Sequence, residues 1–303
     1  MKILIAGGTG FLGSALTRSL LEQGHQIWIL TRRAALARTD AAVHFLQWDG
    51  KTIQGWGDAV NEVEAVINLS GESLSRWPWT AAQKKRFLES RVLPTQALVQ
   101  AIQQAQRPPR VYLQVSGINH YGLRGEMADE ETPAGDDFLA RLTVEWEQAS
   151  QPLEECGVRR IIARMAVVLD WQGGMLGLMA LPVRLFVGGP IGSGRQAVPW
   201  IHLQDAIGAM EFLLFNEAAH GVYNLIAPQP TSNAEFMRTL ARVLRRPYWF
   251  PTPAFLLRLV LGEMSVLVTE GRYARPRRLL EAGYTFRYPT LEEALRANKP
   301  AMG

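Results

Sequence analysis

Cysteine is almost absent from this chain of 303 residues, which contains only Cys156. A single thiol cannot form a disulfide within the chain, so a hydrophobic core must stabilise the fold, and a reducing compartment fits this composition. The same count excludes a thiolate cluster that binds a metal ion. The sequence therefore predicts no metal site.

Long apolar runs are also lacking. The stretch 254–261 is interrupted by Arg258 and is well short of the roughly 20 residues that span a bilayer. The chain passes from Met1 and Lys2 directly into an apolar strand, which leaves no room for a signal peptide. We therefore expect a cytoplasmic protein without a membrane partner.

No excess of charge of one sign points to a polyanionic partner. The chain has 32 basic and 28 acidic residues, a formal net charge of +4. The arginine-rich segment 272–278 is explained better by a solvated face or a phosphate-bearing ligand than by nucleic acid, because no motif of a nucleic-acid-binding domain accompanies it. The acidic tract 126–131 is also expected to be solvated. We predict a small-molecule partner and no specific nucleic acid; a homodimer is left open.

The most informative feature that is present is the run from Ile3 to Gly13. Its short β-branched stretch predicts a buried strand, and Gly7, Gly10 and Gly13 permit a tight turn, close approach of a pyrophosphate and close helix–strand packing. The first amides of the following helix then face an anion. Glycines also close ordinary turns, but the strand before and the leucine-rich helix after supply the required context. The predicted cofactor contacts here are Gly7, Gly8, Thr9, Gly10, Phe11, Leu12 and Gly13.

The end of the second predicted strand indicates which cofactor is bound. An acidic residue about 20 positions after the glycines binds the ribose hydroxyls of NAD, whereas an arginine accommodates the 2′-phosphate of NADP. Arg32 follows Gly13 by 19 residues, and no acidic residue lies between Glu22 and Asp40. The sequence thus favours NADP(H), although the arginines are also explained as a polar turn. The predicted contacts are Thr31, Arg32 and Arg33.

Alternating apolar strands and helices predict an α/β Rossmann fold with a doubly wound parallel sheet. Further strands are predicted at 43–48, 65–69, 111–115, 160–169 and 221–226, with a long helix over 80–104. Glycine- and proline-punctuated loops beyond Asp170 indicate a smaller, mostly C-terminal substrate-binding region. We assign residues 1–170 and about 202–226 to an NADP-binding domain, and residues 171–201 and 227–303 to the substrate-binding region.

Ligands of an open parallel sheet lie beyond the carboxyl ends of its strands. This rule places Asp49 near the adenine and the segment after the fourth strand near the sugar and nicotinamide. Asp49 is explained equally well as a turn residue before Gly50. The predicted contacts after the fourth strand are Asn68, Leu69, Ser70, Gly71 and Glu72.

Three arginines and a tryptophan are candidates for substrate binding. Arg76 and Trp77 suit a planar anionic ligand, but a hydrophobic lid anchor explains their loop equally well. Arg195, in a glycine-rich loop, is a candidate for gripping a phosphate or carboxylate. Arg164 interrupts an apolar strand and therefore needs a partner, either a buried carboxylate or a substrate anion.

The chain resembles the extended short-chain dehydrogenase/reductases, the superfamily of sugar-nucleotide epimerases and dehydratases. Residues 7–13 match its glycine turn, residues 68–70 its nicotinamide-ribose contact, and residues 200–205 its phenylalanine-isoleucine-histidine-aspartate stretch. Segments similar to an atypical, epimerase-like subfamily are 76–77, 89–92, 135–139, 188–196 and 280–289. The resemblance implies NADP(H) binding and no settled substrate.

The resemblance fails at the catalytic residues. Members of the superfamily abstract a hydroxyl proton with a tyrosine whose pKa is lowered by a lysine four residues later. None of the five lysines of this chain follows a tyrosine by four. After Pro133, Phe138 and Leu142 fall at the tyrosine and lysine positions. The resemblance thus implies an atypical member that lacks the dyad.

Ser116 and Tyr121, at the end of the fifth strand, are the candidates for replacing that dyad, and His120 titrates near neutral pH. The alternatives are that Ser116 holds the nicotinamide and that Tyr121 has a packing or substrate-contact role. We predict an NADP(H)-dependent oxidoreductase or epimerase that acts on an unidentified small polar or anionic substrate. The alternative is an NADPH-binding regulatory or sensor protein with little or no catalysis.

Overall fold

The computed structural model describes residues 1–33 and 42–299. Residues 34–41 and 300–303, which fall in the predicted NADP-binding and substrate-binding parts, lie outside the described residues. The strands are β1 (Lys2–Ala6), β2 (Gln26–Thr31), β3 (Val43–Gln47), β4 (Ala65–Asn68), β5 (Val111–Gly117), β6 (Arg159–Met165), β7 (Val167–Asp170), β8 (Gly173–Gly174), β9 (Trp200–His202) and β10 (Gly221–Leu225). The helices are α1 (Phe11–Glu22), α2 (Ala81–Gln104), α3 (Phe138–Gln148), α4 (Leu176–Arg184), α5 (Leu203–Phe215), α6 (Asn233–Val243), α7 (Ala254–Leu261), α8 (Val266–Thr269), α9 (Arg277–Glu281) and α10 (Leu291–Arg296).

Seven strands form the main sheet in the order β10-β6-β5-β4-β1-β2-β3, and every neighbouring pair is parallel. The chain order reverses between β1 and β4, because β2 and β3 lie on one side of β1 and the later strands on the other. Ligands bind beyond the carboxyl ends of the strands at such a reversal. The glycine turn that follows β1 lies at this edge, and the predicted Rossmann fold is confirmed.

Helices cover both faces of the sheet, which explains why the central strands β1 and β4 are largely apolar. On one face, Ile3 and Ile5 of β1 pack with Leu16 and Leu20 of α1. On the other face, Leu4 belongs to a second cluster that includes residues of α2. Burial of each such side chain contributes about 1.5–3 kcal/mol. β1 is therefore held from both sides, and so is the start of the turn that follows it.

The single strand predicted at 160–169 is wrong, because the chain changes partner at Ala166. The Ala166 amide donates to Leu225 of the main sheet, whereas the Val167 amide donates to Pro199. β6 therefore stays in the main sheet, and β7 joins a three-stranded sheet in the order β8-β7-β9. An apolar run shows that both strands are buried but does not show that they belong to different sheets.

The C-terminal part has its own apolar cluster, formed by residues of α4, α6 and α10 with Trp200 of β9. α5, by contrast, packs with α1 against the main sheet. β10 returns to the main sheet beside β6, as the pattern at 221–226 predicts. No helix among the described residues is both long and apolar enough to cross a membrane.

Candidate functional site

The three glycines after β1 differ in how much room the fold leaves for a side chain. Gly7 has a φ of +82°, and a Cβ there would lie 2.8 Å from the Leu69 carbonyl oxygen. A Cβ at Gly13 would lie 2.2 Å from the Gly7 carbonyl oxygen, so α1 packs too closely on the turn for any side chain. At Gly10 a Cβ would meet only the Gly7 carbonyl oxygen, at 3.3 Å. Packing within the fold thus explains why residues 7 and 13 are glycines. It does not explain why residue 10 is a glycine, because Gly10 lies on an open surface.

The start of α1 is prepared for an anion. Gly10 is its N-cap residue and supplies no side chain to accept a hydrogen bond from the first amides. The first turn contains no acidic residue. The free amides and the helix dipole therefore favour a negatively charged group at this point.

The end of β2 brings two arginines to the same edge of the sheet. Arg32 and Arg33 are exposed, and the buried Thr31 hydroxyl accepts a hydrogen bond from the Arg33 amide. At the end of neighbouring β3, the Asp49 carboxylate accepts hydrogen bonds from the Lys51 amide at 2.7 Å and the Thr52 amide at 2.8 Å. These hydrogen bonds lower the pKa of Asp49. Asp49 thus has the geometry of a turn residue, one of the two roles considered for it.

Hydrogen bonds of a buried side chain fix the segment after β4. The buried Asn68 side chain donates to Thr95 and Tyr112, and its oxygen accepts from the Ser70 amide. Asn68 therefore shapes the loop and does not present its amide to the open edge. Ser70 is buried, Leu69 half-buried and Gly71 exposed.

Arg91 of α2 fastens the same loop to the helix. It donates to the backbone oxygens of Glu72 and Phe87 and stacks on Trp146. Burial lowers its pKa to about 10. Sequence reasoning did not assign Arg91 a role; its partners are backbone oxygens, which residue type does not reveal.

The candidate substrate arginine Arg76 is exposed, and its Nε lies 3.0 Å from the Glu72 carboxylate. The adjacent Trp77 is 61% exposed. Trp79, by contrast, is buried against Phe87 and Phe138. This loop therefore has an inner anchor at Trp79 and an outer aromatic ring at Trp77 that is free to meet a ligand.

At the ends of β5 and β6, Ser116 and Arg164 converge on Glu147 of α3. The Ser116 hydroxyl donates to Glu147 at 2.7 Å, and Arg164 donates to both carboxylate oxygens at 2.9 and 2.8 Å. Burial alone would raise the pKa of Glu147, but the hydrogen bonds and charge of Arg164 outweigh it, and the pKa lies below its ordinary value. Of the two partners considered for Arg164, the structure contains the buried carboxylate.

Tyr121 extends this network and is 1% exposed. Its hydroxyl donates to Asn224 at 2.8 Å and accepts from Arg164 at 2.9 Å, and the guanidinium also lies over its ring. Burial raises the pKa of Tyr121 against the opposing effect of Arg164. Because the Tyr121 hydroxyl already donates to one side chain and accepts from another, Tyr121 has the geometry of a packing residue.

His120 lies beside the network, with its Nδ1 3.6 Å from a Glu147 oxygen. Burial lowers the pKa of His120 to about 4, despite the opposing charge of Glu147. The ring is therefore neutral at pH 7. His120 titrates far below the neutral range that its residue type suggests, because burial disfavours the charged form.

This burial predicts a pH dependence of stability. Below about pH 6.5, the ordinary histidine pKa, the unfolded chain binds a proton that the folded protein does not bind until about pH 4. Between pH 7 and pH 5 we therefore expect the wild type to lose about 2 kcal/mol more unfolding free energy than His120→Gln. Urea unfolding at both pH values measures the difference, and an equal loss in the two proteins would contradict it.

Phe138 and Leu142, at the tyrosine and lysine positions of the resemblance, lie in one apolar cluster with Trp79 and Phe87. The cluster also receives Val266 of α8 from the C-terminal part. Neither Phe138 nor Leu142 can transfer a proton. This apolar cluster therefore joins α2 and α3 to α8.

On the other side of the edge, β8 lies against the glycine turn. A Cβ at Gly173 would lie 2.5 Å from the Phe11 ring, and one at Gly174 3.1 Å from it. Phe11 thus connects the turn with the start of the predicted substrate-binding region. Arg195 is exposed in that region, and its backbone oxygen accepts from the Tyr273 hydroxyl.

The acidic tract and the arginine-rich segment bind each other in register. Arg124 pairs with Glu270, Asp129 with Arg275, and Glu131 with Arg277, each pair separated by 146 residues. A parallel bridge between residues 128 and 274 runs through the middle. The acidic tract was expected to be solvated, and the arginine-rich segment to form a solvated face or bind a phosphate-bearing ligand, but much of their charge is mutually neutralised. The described residues contain no group of three or more histidine, cysteine or carboxylate side chains that could hold a metal ion.

Comparison with known proteins agrees with this geometry. Residues 3–146 match the NAD dependent epimerase/dehydratase family, and residues 252–297 match a domain of unknown function, DUF1731. The epimerase family protein SDR39U1 of Bos taurus is 39% identical over 98% of this chain and 99% of its own. Epimerase family protein YfhF of Bacillus subtilis is 36% identical over 97% of both chains.

Solved structures extend the similarity to the whole fold. The crystal structure of human SDR39U1 (isoform 2) with NADPH has a TM-score of 0.85 and 35% identity, and covers 98% of both chains. UDP-glucuronic acid 4-epimerase of Bacillus cereus has a TM-score of 0.77 with 17% identity, over 98% of this chain and 97% of its own. The second similarity concerns the fold alone.

Proposed function

This chain belongs to the NAD dependent epimerase/dehydratase family, and we propose that it binds NADP(H) and acts as an atypical oxidoreductase or epimerase. The observation that carries the proposal is the glycine turn, where only Gly10 lacks an explanation within the fold. Its open surface, the free amides of α1 and the exposed Arg32 fit a dinucleotide with a 2′-phosphate. The relative SDR39U1, whose crystal structure contains NADPH, supports this choice.

The residues that would hold the cofactor lie along one edge. Amides at the start of α1 would bind the pyrophosphate, and Arg32 with Arg33 would bind the 2′-phosphate. The backbone of 69–71, shaped by Asn68, would border the sugar and nicotinamide side. Bound NADP(H) would supply or accept a hydride.

Ser116 and Tyr121 act, on this proposal, as positioning residues. Both hydroxyls are bound inside the network of Glu147 and Arg164, which fixes the edge between β5 and β6. The exposed side chains of Arg76, Trp77 and Arg195 are better placed for a small polar or anionic substrate than that of Arg164, which is buried. The division into residues 1–170 with 202–226, and 171–201 with 227–303, remains part of the proposal.

Gly10→Ala tests cofactor binding with only a small adjustment of the turn. The added methyl group meets only one carbonyl oxygen, at 3.3 Å, so the fold should tolerate it. It would occupy the surface that the pyrophosphate approaches, and we expect NADPH affinity to fall about ten- to a hundredfold. Titration by nicotinamide fluorescence measures this.

The matched control is Gly177→Ala in α4, where a Cβ meets nothing within 4 Å. It should leave NADPH affinity unchanged. Equal affinity in Gly10→Ala and the wild type would remove the glycine turn from the binding site.

A second candidate function is an NADPH-binding regulatory or sensor protein with little or no catalysis. It is favoured by the enclosure of both hydroxyl candidates and by the apolar cluster around Phe138 and Leu142. A screen of carbonyl substrates that follows NADPH absorbance separates the two functions. Turnover at ordinary enzymatic rates would exclude the sensor; NADPH binding without turnover across the screen would favour it.

A further inference from the structure

A second surface, formed by α4 and α7 and the loops beside them, is exposed and apolar, and it lies within the proposed substrate-binding region. α7 contains no buried residue. Phe255 and Leu259 on α7 are 67% and 82% exposed, and Leu181 and Leu185 on and just after α4 are 50% and 63% exposed. Large contiguous apolar patches on a protein surface mark places where another surface binds.

Backbone hydrogen bonds join the loop after α4 to the loop before α7. The Trp249 amide donates to the Gly188 carbonyl oxygen, the Thr252 amide to that of Pro190, and the Gly192 amide to that of Thr252. The loop after α4 is thereby held against the loop before α7. Phe250, 86% exposed, lies at this junction. We call the exposed apolar residues of 178–187 and 249–260 the apolar platform.

The charged residues within the two segments of the apolar platform, Arg184 and Arg258, are both arginines. In residues 171–204 and 236–262, every formally charged residue is an arginine. Arg184, Arg245 and Arg258 are exposed, and Arg246 lies over the Phe186 ring. The carboxylate that follows α7, Glu263, is paired with Lys84. The platform thus combines leucine, phenylalanine and tryptophan with arginine and has no negative charge of its own.

We propose that the apolar platform docks on an anionic lipid membrane. Aromatic and leucine side chains enter the boundary between headgroups and acyl chains, while arginines pair with anionic headgroups. The sequence-based expectation of no membrane partner rests on the length of apolar runs, and that length concerns spanning only. A surface assembled from two helices and two loops does not appear as a run.

The charge pattern favours a membrane over a second copy of this chain. In a two-fold symmetric dimer the same surface faces itself. Arg184, Arg245 and Arg258 would then meet arginines of the partner in an apolar contact from which water is excluded. Such like-charge contacts are strongly unfavourable. A surface of phosphatidylglycerol instead supplies the missing negative charge.

Cosedimentation of the full chain with vesicles tests the proposal. We expect binding to vesicles of equal parts phosphatidylglycerol and phosphatidylcholine, weaker binding at high salt, and little binding to phosphatidylcholine alone. Leu259→Glu should weaken vesicle binding about tenfold or more, since a charge replaces an apolar side chain that would enter the membrane. Arg258→Glu should also weaken it about tenfold.

The matched control is Leu280→Glu on α9, outside the platform, where the leucine is 49% exposed. It should bind vesicles as the wild type does. Phe250→Glu, in a loop, replaces Leu259→Glu if the latter does not fold, and thermal unfolding verifies each variant. NADPH titration of the same proteins should show unchanged affinity, so a failure here is distinct from a failure of the cofactor proposal.

Several results would overturn the proposal. One is the absence of binding to anionic vesicles; another is equal weakening by Leu280→Glu and Leu259→Glu. A dimer in sedimentation that dissociates in Leu259→Glu would assign the platform to a second copy. Specific binding of an acidic protein through the platform, without vesicle binding, would assign it to a protein partner.

Discussion

Glu147→Gln is expected to lower the free energy of unfolding by about 3–5 kcal/mol, because it leaves the Arg164 guanidinium buried without a counter-charge. The two side chains are only 10% and 6% exposed. The amide keeps the size of the carboxylate, so the loss reports charge and hydrogen bonding and not a cavity. Urea unfolding at pH 7 measures it.

Two variants complete this test. Glu145→Gln changes an exposed residue of the same helix and should alter stability by less than about 0.5 kcal/mol. The double variant Glu147→Leu/Arg164→Met removes both charges and should recover much of the lost stability. If Glu147→Gln were as stable as Glu145→Gln, the ion pair would not have the structural role we give it.

Arg32→Ala is expected to weaken NADPH binding by about 1.5–3 kcal/mol, or roughly ten- to 150-fold, and to change NADH binding little. The two cofactors differ only in the 2′-phosphate, so the difference isolates one charge-assisted contact. Fluorescence titration of both cofactors against wild type and variant measures it.

Arg18→Ala is the matched control, because Arg18 is an exposed arginine on α1, away from the end of β2. It should bind both cofactors as the wild type does. Equal weakening of NADPH and NADH in Arg32→Ala would assign Arg32 a general structural role and not the 2′-phosphate.

The glycine turn shows what a sequence can reveal about this fold. Backbone requirements at Gly7 and Gly13 are local, so residue type and spacing were enough to predict them. The parallel sheet was also predicted from a local pattern, the alternation of apolar strands and helices. The exchange of partners at Ala166 was missed because it depends on which distant strands, β10 or β9, lie beside the chain.

Side-chain partners far apart in sequence were harder to predict. Arg164 was identified as needing a partner, but nothing local pointed to Glu147 on α3. The paired segments 124–131 and 270–277 did carry a signal. Charges of opposite sign occupy matching places in the two segments, 146 residues apart, and this complementarity was visible in the sequence.

A titration of the wild-type protein with NADPH and with NADH tests the assignment of the dinucleotide site. Quenching of its nine tryptophans and energy transfer to the reduced nicotinamide report binding. We expect tight NADPH binding and markedly weaker NADH binding. Failure of both cofactors to bind would contradict the assignment of the glycine turn and the end of β2 to a dinucleotide.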